Sequence, residues 1–443
     1  MKKYLEIIAL TLVFTVFFAA CQKADEKSSL PSSAMVSEAA EEEETESGAP
    51  ALPKTDKKIY DVDKFTDEQK EGFSAKKHGA AGDGKTDDTN AINTTIQKIR
   101  GPLYLPEGRY LVSAPIVLKS NYGIFGEGTI VIEEDYTEGK NGSFGAISAS
   151  NALNVIVKGI KIEKKPLANS ILIGVLFIDT KNLVIDGVEV SGLGARAGIE
   201  VRGTSDFEIK NCYVHDFLSD KVGKLSDNDI VDAYGIHLRV GSKNGYVHHN
   251  KIKDIIIAEP LYTENYYQSD GIYCQGVSDI RVEENEVEGV GEGIDVGGCF
   301  NMIIKNNKLK NIHMLGFKVI NGTKDSVWEG NEVDGAAVSG VWICVGNTGL
   351  GAKNITFKNN KIYDIGKPND YAGKLLPRAG IKIACGGDDL VSNIVIENNH
   401  IEDRQGYPTT EYGIIETGSA TGNIFRNNTV VGCANEIEVN SPQ

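Results

Sequence analysis

The sequence predicts an all-β chain wound as a single-stranded parallel β-helix. Three observations carry that expectation: a short phrase repeated at solenoid spacing, an asparagine fixed at one place in the phrase, and a Gly-led strand after most copies. The phrase is N-x-x-V-x-x-N-x-I. It runs 244-NGYVHHNKI-252, 279-DIRVEENEV-287, 301-NMIIKNNKL-309, 325-DSVWEGNEV-333, 354-NITFKNNKI-362 and 393-NIVIENNHI-401. Earlier copies begin at Asn154, Asn182 and Asp206, and starts are 22 to 39 residues apart. A period in this range marks a solenoid, and alternation within the phrase marks strands. The asparagines are Asn250, Asn285, Asn307, Asn331, Asn360, Asn399 and Asn428. Asparagine tolerates the left-handed backbone of a tight bend, and stacked amides bond along a column. The Gly-led strands are 198-GIEVRG-203, 235-GIHLRVG-241, 271-GIYCQG-276, 293-GIDVGG-298, 316-GFKVIN-321, 340-GVWICVG-346, 380-GIKIACGG-387 and 413-GIIETG-418. About ten coils at ~4.8 Å give a rod about 50 Å long.

The ends set the limits of that domain. Residues 1–20 read as an export signal: Lys2 and Lys3, an apolar run from Ile7 to Phe18, then small residues. The stretch 18-FAAC-21 resembles a bacterial lipobox, which implies lipidation of Cys21 and membrane contact through that lipid alone. A lipid-anchored cell-envelope protein, at the outer membrane or cell surface, is therefore expected. Residues 21–58, with 41-EEEETE-46 inside, lack the apolar content for a core and read as an acidic tether. Residues 59–443 are left for the β-helix, with an N-terminal cap over about 73–125.

The formal charge is −16, and residues 1–58 contribute 10 acids and 7 bases. The remaining 52 acids and 39 bases argue against a nucleic-acid partner. Cys212, Cys274, Cys299, Cys344, Cys385 and Cys433 form no CxxC pair and read as small buried hydrophobes. A monomer is expected.

The stretch 78-HGAAGDGKTDDTNAINTTIQKI-99, followed by 103-LYLPEGRYLV-112, resembles the N-terminal signature of the pectate lyase superfamily, in its rhamnogalacturonase- and epimerase-like branch. The resemblance implies a right-handed helix of the pectin lyase type and, for most members, cleavage or remodelling of polysaccharide. Within it, Thr86 or Asp87 is expected to cap a helix whose face of Ala91, Ile92, Ile96 and Ile99 covers the open end of the rod. Asp83, Asp87 and Asp88 are expected to be structural.

Stacking places a candidate site. In G-I-x-V the x residue faces out, so Glu200, His237, Tyr273, Asp295, Lys318, Trp342 and Lys382 form an exterior column. Between phrase and Gly the chain takes 21 residues before Gly235, 19 before Gly271 and 18 before Gly380, but only 6 or 7 before Gly293, Gly316 and Gly340. Long loops on either side of three short coils predict a cleft, with walls from 216–233, 254–269 and 364–379. Its floor offers Asp295, Lys318 and Trp342. Its walls offer Tyr262, Tyr266, Tyr267, Tyr371 and Arg378, and His313 precedes one floor strand. Trp342, His237, Tyr273, His313, Arg378 and Lys382 are the candidate contacts to a polysaccharide, pectin-like and uronate-containing.

Two chemistries fit. Hydrolysis needs a carboxylate pair and no cofactor; Asp270 and Glu292 each precede the Gly of adjacent coils, with Asp295 close by. The pair 269-SDGI-272 and 291-GEGID-295 resembles the acid layout of polygalacturonase-like hydrolases, although that family's double Asp and Gly-His-Gly are missing. β-Elimination would use Lys318 as base, with Arg378, Lys382 or a Ca²⁺ ion neutralising the uronate, and Asp232, Asp270, Glu292 and Asp295 as oxygen donors. No motif demands a metal. A non-catalytic glycan-binding or adhesion rod is the alternative from another class.

Overall fold

A computed structural model of the chain describes residues 59–440 except 133–143, 165–171, 194–195, 220–231, 258–268, 347, 367–376, 386–390, 419 and 421. The expected signal, tether and Cys21 lie outside the described residues, as do Tyr262, Tyr266, Tyr267 and Tyr371. Among the described residues no helix is long and apolar enough to cross a membrane.

The chain winds through three parallel sheets of 13, 12 and 12 strands, and after the first strand, Asp83–Asp87, each pairs with the strand three further along the chain. One coil is thus three strands. In the coil after Gly241 these are Lys243–His248, Lys251–Ile257 and Ser269–Gln275. Sheets of 12 rungs make the rod slightly longer than ten coils would. Stacking also starts inside the stretch expected to be a cap: Leu103–Leu105 pairs with Gly123–Gly126, and Arg109–Val112 pairs with Thr129–Ile132. The helix Thr89–Lys98 does close the end of the rod, burying Ile92 and Ile96 against the first coils. Asp87 Oδ1 accepts from Thr89 N, while Asp88 binds the amides of Ala81 and Gly82. Asp83 accepts from Lys85 and Thr86, so all three aspartates tie the leading turn together. All six cysteines after Cys21 are free thiols, four of them buried.

Columns of one residue per coil hold the rungs in register. Asn250, Asn285, Asn307, Asn331, Asn360, Asn399 and Asn428 form a continuous amide ladder, each Nδ2 donating to the next Oδ1 at 2.9 to 3.0 Å. The left-handed residue is the one before, not the ladder asparagine: His249, Glu284, Asn306, Gly330, Asn359 and Asn398 have φ near +55° to +65°. The bend frees the next amide to point inward and reach both neighbours. Asn307 is wholly buried and makes four such bonds with its side chain. Asn307→Ala strands their partners, and a loss of about 3 kcal/mol or more is expected in denaturant unfolding.

The glycines form a second column. A Cβ on Gly271 would lie 2.3 Å from Val287 Cγ1 and 2.7 Å from the Gly293 carbonyl oxygen. The same conflict recurs from Gly174 to Gly380, each against the carbonyl of the next Gly in the column. Gly and the following Ile both face the core, which shifts the alternation. The residue before Gly and the residue after Ile therefore emerge on one exterior face.

A third column lies on the sheet of the phrase. Asp186, Lys210, His248, Glu283, Lys305, Glu329, Lys358, Glu397 and Arg426 are successive partners, and from Glu283 onward the charges alternate in sign. Alternation is the arrangement that lets stacked charges attract.

Candidate functional site

The exterior column read from the sequence exists rung by rung. Glu200 pairs with His237, His237 with Tyr273, Tyr273 with Asp295, Asp295 with Lys318, Lys318 with Trp342, and Trp342 with Lys382. Beside it runs the pre-Gly column: Tyr234, Asp270, Glu292, Leu315, Ser339 and Ala379. Where the two meet, Asp270, Glu292 and Asp295 bring carboxylate oxygens within 4.8 Å of one another. All three residues are at most 1% exposed. Lys318 Nζ lies 2.8 Å from Glu292 Oε2 and 3.1 Å from Asp295 Oδ2.

Enclosure of these groups together shifts the protonation of Glu292 and Lys318. Burial pushes the Glu292 carboxyl up; Lys318 opposes, Asp295 adds to the rise, and the group stands at about 7. Burial disfavours the charge on Lys318, but Asp295, Glu292 and Asp270 outweigh it and hold its proton well above the usual lysine range. A base for elimination needs the opposite shift, so this direction favours an ion-pairing role for Lys318. A Ca²⁺ ion would take 6–8 oxygens. Here the ammonium already sits between Glu292 and Asp295, where such a cation would, and Asp232 instead accepts from the Tyr234 hydroxyl at 2.9 Å. Asp270, Glu292 and Asp295 are the residues that would supply carboxylate oxygens to such an ion.

The flanks of the cluster are aromatic. Tyr273 is half-buried, stacked 4.9 Å from His237 and 5.3 Å from Tyr234, and Tyr234 in turn lies 4.3 Å from His237, so the three rings form one cluster. His237 is 1% exposed, and burial brings it down to about 4 despite Glu200 beside it. On the other flank Trp342 is less open than expected of a sugar platform. It packs against Ile257, Met314, Leu315, Ala337 and Val338, and Lys382 Nζ lies over its ring at 5.2 Å. Burial lowers the Lys382 ammonium. His313 is half-buried in the turn before Leu315–Ile320, and burial lowers it too. Arg378 is not brought to the carboxylates: its Cδ lies against Gly366 beside the Thr409 carbonyl. Most of the expected cleft walls fall on residues outside those described.

Sequence reasoning missed one group on this face. Arg202 and Arg239 are Cα partners and both reach Glu200, Arg239 at 3.3 Å, with Arg196 Nε 3.7 Å away. Both partners lie four residues after the Gly of their coils, so the column logic could have found them.

The comparisons agree with this architecture. The family profile described as right-handed beta helix region matches residues 261–430. Plasmin and fibronectin-binding protein A of Streptococcus pneumoniae is 24% identical over 382 residues, 75% of this chain; the chain spans 51% of that relative's length. A hyperthermoactive exopolygalacturonase from Thermotoga maritima superposes with a TM-score of 0.57 at 16% identity, over 81% of this chain and 91% of that one. The tailspike protein of E. coli bacteriophage HK620, in complex with a pentasaccharide, gives 0.59 at 14% identity, over 81% and 66%. The profile of the rhamnogalacturonase A/epimerase, pectate lyase-like family matches residues 72–342, more than half of the chain, and to that family this β-helix belongs.

Proposed function

We propose that the chain binds a polysaccharide along the Gly-led sheet and hydrolyses its glycosidic bonds at the Asp270–Glu292–Asp295–Lys318 cluster. One observation carries the proposal. Among the described residues nine buried side-chain polar atoms lack a hydrogen-bond partner, and seven belong to Arg196, Glu200, His237, Asp295, Ser339 and Trp342, on or beside this one face. Buried polar groups are normally satisfied, so their concentration on and beside one face marks that face out, and it is the support for seating the hydroxyl-rich sugar there. Glu292, at about 7, suits a general acid that protonates the leaving oxygen. Asp295 suits the base or nucleophile, because its Oδ2 is held by Lys318 while Oδ1 is unengaged. Asp270 is a further carboxylate beside Lys318 that helps keep the lysine protonated. The proposal includes export and a lipid on Cys21, which would hold the rod at the cell envelope. Incubation with pectin, alginate and rhamnogalacturonan tests it. New reducing ends without the ultraviolet absorbance of an unsaturated uronate are expected; that absorbance would mean elimination.

A second reading has its own support. The three carboxylates are almost inaccessible and paired with Lys318, and the relative matched over three quarters of this chain is described as a plasmin- and fibronectin-binding protein. Binding of polysaccharide without any product would establish a non-catalytic, adhesive rod instead.

A further inference from the structure

We propose that His248 and His249 form a binding site for a divalent transition-metal ion that takes its ligands at right angles, copper(II) or nickel(II). The site lies on the sheet of the phrase, away from the Gly-led face, and the inference does not rest on polysaccharide binding. Its starting observation is a pair of ring nitrogens aimed at each other: Nδ1 of His248 lies 2.8 Å from Nδ1 of His249.

Column stacking braces this pair from two sides. His248 ends the strand Lys243–His248, and His249 is the left-handed residue that follows, with φ +53°. Nε2 of His248 lies 3.0 Å from Oε1 of Glu208, in the coil before. Nε2 of His249 lies 2.7 Å from Oε2 of Glu284, in the coil after. Lys210 holds the other oxygen of Glu208 at 2.9 Å, which leaves Oε1 to His248. The His248 ring is fixed further by stacking on Tyr246 at 3.8 Å, and the two imidazoles stand nearly perpendicular, at 82°.

Proton counting then isolates the inner nitrogens. A carboxylate accepts, so a ring nitrogen that faces one carries the hydrogen. A neutral imidazole has a single N–H, and here both are committed outward. Two lone pairs are left facing each other at 2.8 Å, an approach that repels unless something positive lies between them. The same layout is that of metal-binding histidines, whose second nitrogen donates to a carboxylate that sets the tautomer and raises the basicity of the ligand.

The separation selects the ion. With bonds of about 2.0 Å, two nitrogens at a right angle lie about 2.8 Å apart, which suits the square-planar or tetragonal sites of copper(II) and nickel(II). Tetrahedral zinc would hold them about 3.3 Å apart. The pair is open outward, because the side chains of His249 and Glu284 keep 54% and 46% exposure, so water can supply the remaining ligands. An ion bound there would tie three successive coils together through Glu208, the two histidines and Glu284.

The experiment is calorimetric titration of the intact chain, prepared without a histidine tag, with copper(II), nickel(II) and zinc(II) salts, joined to electron paramagnetic resonance of the copper-loaded chain. At least one copper ion coupled to two ring nitrogens is expected, with nickel bound more tightly than zinc. His249→Asn places at this turn the residue that Asn306, Asn359 and Asn398 supply in other coils at φ +54° to +58°, so the coil should stay intact. It is expected to weaken copper binding by about tenfold or more and to leave one coupled nitrogen. Glu284→Gln, which alters only the brace, should weaken binding by about tenfold with both nitrogens still coupled. Neither variant touches the carboxylates of the Gly-led face. Failure of copper and nickel to bind, which would mean that the two rings share a proton, would overturn the proposal. So would coupling to fewer than two nitrogens in the native chain, copper affinity unchanged by His249→Asn, or zinc bound more tightly than nickel.

Discussion

Glu292→Gln is expected to lower polysaccharide hydrolysis by about 10²- to 10⁴-fold, the usual contribution of a positioned acid. Gln keeps the volume and one hydrogen bond to the cluster but has no proton to give. In the native chain the rate should fall as pH rises through about 7, because Glu292 is the proton donor and loses its proton there. The same shift has a consequence for stability. The carboxyl titrates higher in the folded chain than in the unfolded one, near 4.5, so the folded state holds the extra proton between those values. The contribution of Glu292 to stability is thus full below 4.5 and declines as pH rises toward about 7. Denaturant unfolding of the native chain should show that decline, and Glu292→Gln should remove it. A variant with native rates and an unchanged pH profile would exclude Glu292 as the acid.

Lys318→Met is expected to destabilise the rod by about 3 to 5 kcal/mol, the cost of leaving buried charge without its partner. Asp270, Glu292 and Asp295 would remain enclosed with no counter-charge, at exposures of 1% or less. The chain has one route of relief, which is protonation. The pH at which hydrolysis is lost should therefore move upward in the variant, since Glu292 no longer feels the ammonium. Unfolding midpoints at two pH values and a pH–rate profile measure both effects. Elimination makes the opposite forecast: loss of all activity with little change in the pH limb.

The fold was legible because a solenoid writes each column at a fixed place in its phrase. Gly271 and Gly293 gave the register, and that register alone placed Asp270 above Glu292 and Tyr273 above Asp295. The phrase did not say which residue of a doublet turns left-handed. In 306-NN-307 either asparagine suits the bend; the second is needed inside to bond both neighbours, so the first takes the turn. Trp342 was read as open because column logic describes a residue's own direction and not what lies across it. Trp342 packs against a cluster that includes Ile257, Met314 and Val338, which come from strand ends and turns outside the repeating phrase. The union of Glu292 with Lys318 was hidden for a related reason. Sequence stacks Asp295 on Lys318, whereas the lysine stem is long enough to reach diagonally into the next column. Arg196 sits in the turn before its strand, where no periodicity points.

A structure of the Glu292→Gln chain with a bound oligosaccharide tests the central claim most directly. The account predicts a glycosidic oxygen about 3 Å from the side-chain amide of residue 292, with the sugar chain running along the column toward Tyr273. An oligosaccharide seated on another sheet, with Asp270, Asp295 and Lys318 still sealed beneath their neighbours, would contradict it.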